Sequence, residues 1–202
     1  MKQEVASFLD YVAHSPTVFQ AAQQACDMLD AAGFTRLSEH EAWEILPGGR
    51  YYVTRNRSAL VAFAVPENGF THCQIVASHG DSPTFKLKAH AEGEAAGAYI
   101  RLDVEPYGGM IMSTWFDRPL SIAGRALVRE DGRLVTRLID LDRDAALIPN
   151  MPIHFNRDIN SGYSYNPQTD MLPLFGGKDA KGALAAEIAA KVAKRLGSAL
   201  EK

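Results

Sequence analysis

Apolar positions recur along this chain with two different periods, and the change from one to the other marks its organisation. Between residues 4 and 14, Val5, Phe8, Leu9 and Val12 fall at helical spacing, and Ser15-Pro16-Thr17 then closes that helix and caps the next. The second helix, about residues 18–32, is expected to bury Val18, Ala21, Ala25, Met28 and Leu29. Thr17 and Gln20 form its capping box, and Gly33 ends it in the left-handed conformation. The period then shortens. Tyr51-Tyr52-Val53-Thr54 and the apolar run 59–65 read as strands joined across Asn56-Arg57-Ser58. A turn at Pro66-Glu67-Asn68-Gly69 leads into Cys73-Gln74-Ile75-Val76-Ala77-Ser78, whose small and β-branched residues predict a central strand covered on both faces. Helices packed on such a sheet make residues 1–90 the opening part of an α/β hydrolase domain.

Beyond Lys88 the texture changes. Residues 89–98 are rich in Ala, Gly and Glu, as a linker would be, and residues 99–141 hold short alternating β-prone segments. Asp131-Gly132 lies between two of them, which is the strongest short hairpin signal available. Residues 91–177 therefore read as a second, β-rich module. Residues 179–202 return to helix: Leu184, Ile188, Val192, Leu196 and Leu200 form one stripe, while Glu187, Lys191, Lys194 and Arg195 are solvated. That stripe, within residues 178–202, needs a partner surface.

Composition narrows the function classes. With 202 residues, 47% hydrophobic and 22% charged, the chain has the balance of an ordinary globular protein with enough length for a core. No apolar run approaches the ~20 residues that span a bilayer, and residues 1–5 lack the apolar core of a signal peptide, so no membrane partner and a cytoplasmic location are expected. Cys26 and Cys73 read as reduced core thiols. A net charge of −3 with dispersed basic residues leaves no footprint for nucleic acid.

The candidate chemistry lies where the central strand ends, at His79-Gly80-Asp81-Ser82-Pro83. In open α/β sheets ligand sites gather beyond the carboxyl ends of strands. A neutral imidazole suits zinc, and a carboxylate two residues on can orient it. The triplet alone also fits a loop histidine that happens to lie near an aspartate. A serine triad built on Ser78 or Ser82 with His79 and Asp81 is disfavoured, because neighbours along a strand point apart.

A longer match bears on that choice. His79-Gly80-Asp81-Ser82-Pro83, followed by Lys86-Leu87-Lys88, resembles the first metal-binding segment of the aspartyl aminopeptidase family of di-zinc metallopeptidases, with Gly80 where the family usually has Thr. Tyr107-Gly108-Gly109 and the run from Ser113-Thr114-Trp115-Phe116-Asp117-Arg118 to Gly124-Arg125 resemble its signature, with Pro119 where Asp is usual. Ala32-Gly33-Phe34 and the stretch Pro47-Gly48-Gly49-Arg50-Tyr51-Tyr52 are similar too, so the likeness runs from about residue 8 to about residue 175.

The resemblance implies the N-terminal part of an α/β catalytic domain, an inserted all-β domain for subunit association, and a helix returning to the catalytic domain. It implies a zinc-dependent aminopeptidase that removes acidic N-terminal residues from peptide substrates and forms a homo-oligomer through the β-rich domain. His79 would be a ligand of one of two zinc ions and Asp81 the carboxylate that orients it. Pro152-Ile153-His154-Phe155-Asn156 resembles a segment whose histidine reaches into a neighbouring subunit's active site, where it could bind substrate or steady the developing oxyanion. A loop histidine bonded within its own module fits His154 equally well.

Two metals about 3.5–4 Å apart bind a free amine and polarise a carbonyl, which takes a bridging carboxylate, several further ligands and a general base. In the family those groups lie C-terminal to the matched region, and this sequence holds no Glu-Glu pair and no second His-x-Asp triplet. The expectation is an incomplete chain, inactive alone. The alternative is a truncated, non-catalytic module that only associates. Asp140-Leu141-Asp142-Arg143-Asp144 reads as a solvated acidic loop rather than a substitute metal site. His14, His40, His72 and His90 carry no comparable signal.

Overall fold

The computed structural model describes the backbone of residues 2–200 and the side chains of residues 2–194. It divides into two compact units, residues 1–82 and 83–202.

In the first unit, helix α1 (Gln3–Ala13) precedes α2 (Val18–Ala31). The Thr17 hydroxyl accepts the Phe19 N–H at 3.2 Å and itself donates to the Gln20 side-chain oxygen, so the two capping residues meet side chain to side chain. The far end of α2 closes as a Schellman turn. Phe34 N–H donates to the Leu29 carbonyl and Gly33 N–H to that of Asp30, with Gly33 at φ +79°. Ala21 and Cys26 are buried, whereas Met28, expected in the core, is exposed, as are Phe8, Leu9 and Val12 of α1. Three strands follow: β1 (Thr35–Leu37), β2 (Arg50–Arg55) and β3 (Ala59–Ala64), in the order β1-β2-β3 with β1 parallel and β3 antiparallel to β2. Tyr51 and Tyr52 are both buried, on opposite faces of β2: Tyr51 packs against Phe63, and the Tyr52 hydroxyl donates to Asp30 of α2 at 2.7 Å.

The central strand expected over residues 73–79 is not formed. Residues 65–83 contain no strand, Ile75 and Val76 are 80% and 92% exposed, and Cys73 is exposed rather than a core thiol. A strand apolar on both faces needs a neighbour at its edge and cover above and below. Among the described residues none pairs with this one, although the outer edge of β3 stands open.

The second unit opens with β4 (Thr84–Ala95) and β5 (Tyr99–Tyr107), paired antiparallel around Ala96 and Gly97, both at positive φ. The linker expected over residues 89–98 is therefore strand and hairpin. Cross-strand pairing holds the Ala- and Glu-rich sequence extended, and a register shift between Leu87 and Glu92 absorbs the extra residues. The short strand β6 (Pro119–Leu120) precedes a hairpin of β7 (Ala123–Glu130) and β8 (Arg133–Asp140). That hairpin turns at Asp131 and Gly132 with φ +47° and +78°, the conformation its sequence predicts. Strands β9 (Ala146–Leu147) and β10 (Leu174–Gly177) complete a sheet in the order β4-β5-β10-β9-β6.

Helix α3 (Ala183–Leu200) joins sheet and hairpin. Leu184 packs with Leu102, Val104 and Leu172, Val192 packs with Ile139, Leu141 and Ala145, and Ile188 touches both clusters. The stripe thus buries against the β-rich unit. Its outer members, Leu196 and Leu200, lie outside the described side chains. The start of α3 is held by Glu92 of β4, whose carboxylate accepts the N–H groups of Gly182 at 2.5 Å and Leu184 at 3.1 Å. Among the described residues no helix is long and apolar enough to cross a membrane.

Candidate metal centre

His79 lies on the exposed stretch between β3 and β4 rather than at the end of a buried strand, with its side chain 84% exposed. Its local geometry is nonetheless defined. Nδ1 lies 2.9 Å from the Asp81 carbonyl oxygen and 3.1 Å from Asp81 Oδ1. Both partners only accept, so Nδ1 carries the proton and donates, and in the neutral ring the lone pair falls on Nε2. This tautomer is the one that binds zinc through Nε2 while a carboxylate steadies the other nitrogen. One ligand is not a site. Among the described residues no three of His, Cys, Asp and Glu converge as a metal cage would require, so the donor set fits one corner of a zinc centre and no more.

His154 sits in the second unit on a run of turns, with Met151, Ile153 and Phe155 exposed around it. Among the described residues its ring meets no hydrogen-bond partner, so the bond within its own module that would make it purely structural is not seen. The loop is ordered by its backbone and by Asp170 instead. Phe155 N–H donates to the Pro152 carbonyl at 2.9 Å and Ser161 N–H to that of Asp158 at 2.8 Å. The Asp170 carboxylate accepts the Tyr163 hydroxyl and the Asn166 N–H, each at 2.8 Å, and the Thr169 hydroxyl at 3.1 Å. Partial burial pushes the Asp170 carboxyl up, but these donors outweigh it and hold the group below its usual range. Asp170 was passed over in the sequence, although Asn166-Pro167-Gln168-Thr169-Asp170 carries the turn signature that would have found it.

The remaining candidates resolve into structure. Trp115 meets Phe85 edge-on at 5.0 Å and Phe116 lies 5.1 Å from Tyr165. Asp117, at φ +55°, accepts the Asn150 N–H at 2.9 Å rather than pairing with Arg118, which reaches the Thr114 carbonyl. In the acidic run, Asp140 accepts the Asp142 N–H at 2.9 Å, and Arg143 turns away to make a bidentate pair with Glu187 over the Phe175 ring. Gly108, at φ +76°, crosses where an added Cβ would stand 3.5 Å from the Pro83 backbone. His14, His40, His72 and His90 are exposed and scattered.

Residues 11–201 match the family described as Aminopeptidase I zinc metalloprotease (M18). The chain is 43% identical over 186 residues to a probable M18 family aminopeptidase 2 of Clostridium acetobutylicum, covering 87% of this chain and 42% of the relative. It is 44% identical over 177 residues to aspartyl aminopeptidase 1 of Schizosaccharomyces pombe, covering 84% and 37%. The structure superposes on the S. cerevisiae mApe1 dodecamer with a TM-score of 0.70 at 26% identity, over 86% of this chain and 38% of that one. The chain thus spans about two fifths of the length of the relatives it matches.

Proposed function

The chain belongs to the M18 family of zinc aminopeptidases, and from that premise we propose that it supplies one zinc ligand and the association surface of an enzyme that removes acidic N-terminal residues from peptides. The observation that carries this reading is the His79–Asp81 pair, which presents Nε2 outward as a neutral donor. A bound pair of zinc ions would polarise the scissile carbonyl and neutralise the charge that grows on its oxygen. Within this chain His79 would hold one of them, and Asp81 would keep the imidazole in the Nδ1–H tautomer and fix its direction. His154, on its ordered loop, would place a ring N–H against the substrate or the developing oxyanion of a neighbouring subunit. The preference for acidic residues rests on the similarity to the S. pombe aspartyl aminopeptidase.

Association falls to the second unit. Alternate residues of the β7–β8 hairpin turn inward to the core, and their neighbours Leu127 and Leu134 share the opposite face at 68% and 65% exposure. A relative with the same fold is a dodecamer. A cytoplasmic location belongs to the same proposal. The 202 residues alone are expected to hydrolyse nothing, because the described residues offer one ligand and no converging carboxylates.

The test is a chimera that joins this chain to the remaining part of the Clostridium relative, assayed with zinc on peptides beginning with Asp, Glu or Leu. The expected result is zinc-dependent release of Asp and Glu by the chimera, lost in His79→Ala, and none by the 202-residue chain. Full activity in the His79→Ala chimera, or release by the purified chain alone, overturns the assignment. The non-catalytic alternative predicts that the chain self-associates while the chimera gains no activity.

A further inference from the structure

The loop that leads from β3 toward His79 carries a feature the aminopeptidase reading does not use. We infer that Asn68 is a site of spontaneous deamidation, converted through a cyclic imide with Gly69 into aspartate and isoaspartate.

The chain has six asparagines, and their next neighbours decide their fate. The reaction needs the following backbone nitrogen to reach the asparagine Cγ, so a side chain or a hydrogen bond at that nitrogen opposes it. Asn166 precedes Pro167, which has no N–H. Ser161 N–H, after Asn160, donates to the Asp158 carbonyl at 2.8 Å. Asn150 precedes Met151, whose side chain crowds the approach. Asn56 and Asn156 precede Arg57 and Arg157, whose side chains crowd the approach. Asn68 precedes Gly69 in an exposed turn, where no side chain stands on the attacking residue and nothing lies within 4 Å of its Cβ position. The same turn explains why glycine stands there. Its φ of +77° is strained for any side chain, so the geometry that needs glycine also keeps the approach to the amide clear of a side chain.

The chemistry is balanced with water as the only co-reactant. The Gly69 nitrogen, losing its proton to hydroxide, attacks Asn68 Cγ. A bond forms between that nitrogen and Cγ, the bond from Cγ to the side-chain nitrogen breaks, and that nitrogen leaves as ammonia. Water then opens the imide at either carbonyl, leaving aspartate or, with the backbone rerouted through the side-chain carbon, isoaspartate. Nothing is oxidised or reduced. The product is one charge unit more negative than the −3 of the unmodified chain, and the isoaspartyl form lengthens the backbone by a methylene.

The experiment ages the purified chain at several mildly alkaline pH values and follows peptide masses, with enzymatic methylation to count isoaspartate. The expected result is a gain of one mass unit on the peptide containing Asn68, faster at each higher pH, accompanied by isoaspartate and lost in Asn68→Gln. The inference is overturned if Asn68 keeps its amide while another asparagine gains mass, or if the gain at Asn68 does not rise with pH.

Discussion

Replacing Glu92 with alanine removes the group that anchors the start of α3 from ninety residues away along the chain. Its carboxylate accepts two backbone N–H groups, at 2.5 and 3.1 Å, in the first turn of a helix whose N–H groups have no partners within the helix. Loss of a capping side chain costs about 0.5–2 kcal/mol, and loss of a negative charge at a helix N-terminus costs about 0.3–1 kcal/mol more. Glu92→Ala should therefore destabilise the second unit by about 1–3 kcal/mol, and Glu92→Gln, which keeps an acceptor without the charge, by less. Because α3 carries Leu184, Ile188 and Val192 into both clusters, the loss should appear as cooperative unfolding of the β-rich unit rather than as fraying. Urea titration gives the free energy directly, and a thermal scan should shift by about 2–4 °C for each kcal/mol in a chain of this size. Glu94, which lies 3.5 Å from Lys181 in an exposed pair beside the same helix, is the control. Glu94→Ala should cost under about 1 kcal/mol. A Glu92→Ala loss below about 0.5 kcal/mol, the range of ordinary surface changes, would refute the cap as an anchor.

Three further outcomes follow from other sites. Burial, and then the hydrogen bond to Asp30, push the Tyr52 phenol from its ordinary 10.0 to about 12, so its contribution is fully present below pH 10 and lost as pH rises toward 12. Tyr52→Phe should cost about 1 kcal/mol at neutral pH and remove that alkaline step in a pH-resolved denaturation. The Asp170 carboxyl is held below its ordinary 3.8, so its contribution is present above that value and lost as pH falls through the lower one; Asp170→Asn should abolish this acid-side step and raise hydrogen exchange around His154. In the zinc-loaded chimera, Asp81→Ala should weaken zinc binding by about 10–100-fold without unfolding the chain, measured by competition with a chelator. An unchanged affinity would show that the imidazole needs no orienting partner.

How much was legible in the sequence varied with how local each cause is. The Schellman end of α2 at Gly33, the Thr17 cap and the Asp131-Gly132 hairpin each follow from a few adjacent residues whose φ values or side-chain donors decide the outcome, and all three stand in the structure. His79 and Asp81 belong with them, since two residues of spacing suffice to bring the carboxylate to Nδ1. The strand β1 was missed because three residues carry no measurable period, and it exists only through its pairing with β2.

What the sequence could not decide was where each apolar surface would find cover. The run at residues 73–78 has the composition of a buried strand, yet it lies exposed, because burial depends on neighbours far along a chain rather than on the segment itself. The stripe of α3 was visible as a stripe, but its docking on Leu102, Val104 and Ile139 and the Glu92 cap are contacts at long sequence separation. Residue types and spacing thus determined the local turns, the helix ends and the His79–Asp81 contact. The tertiary structure alone decided which faces are buried, because hydrophobic burial is non-directional and settles on whatever surface the rest of the fold brings near.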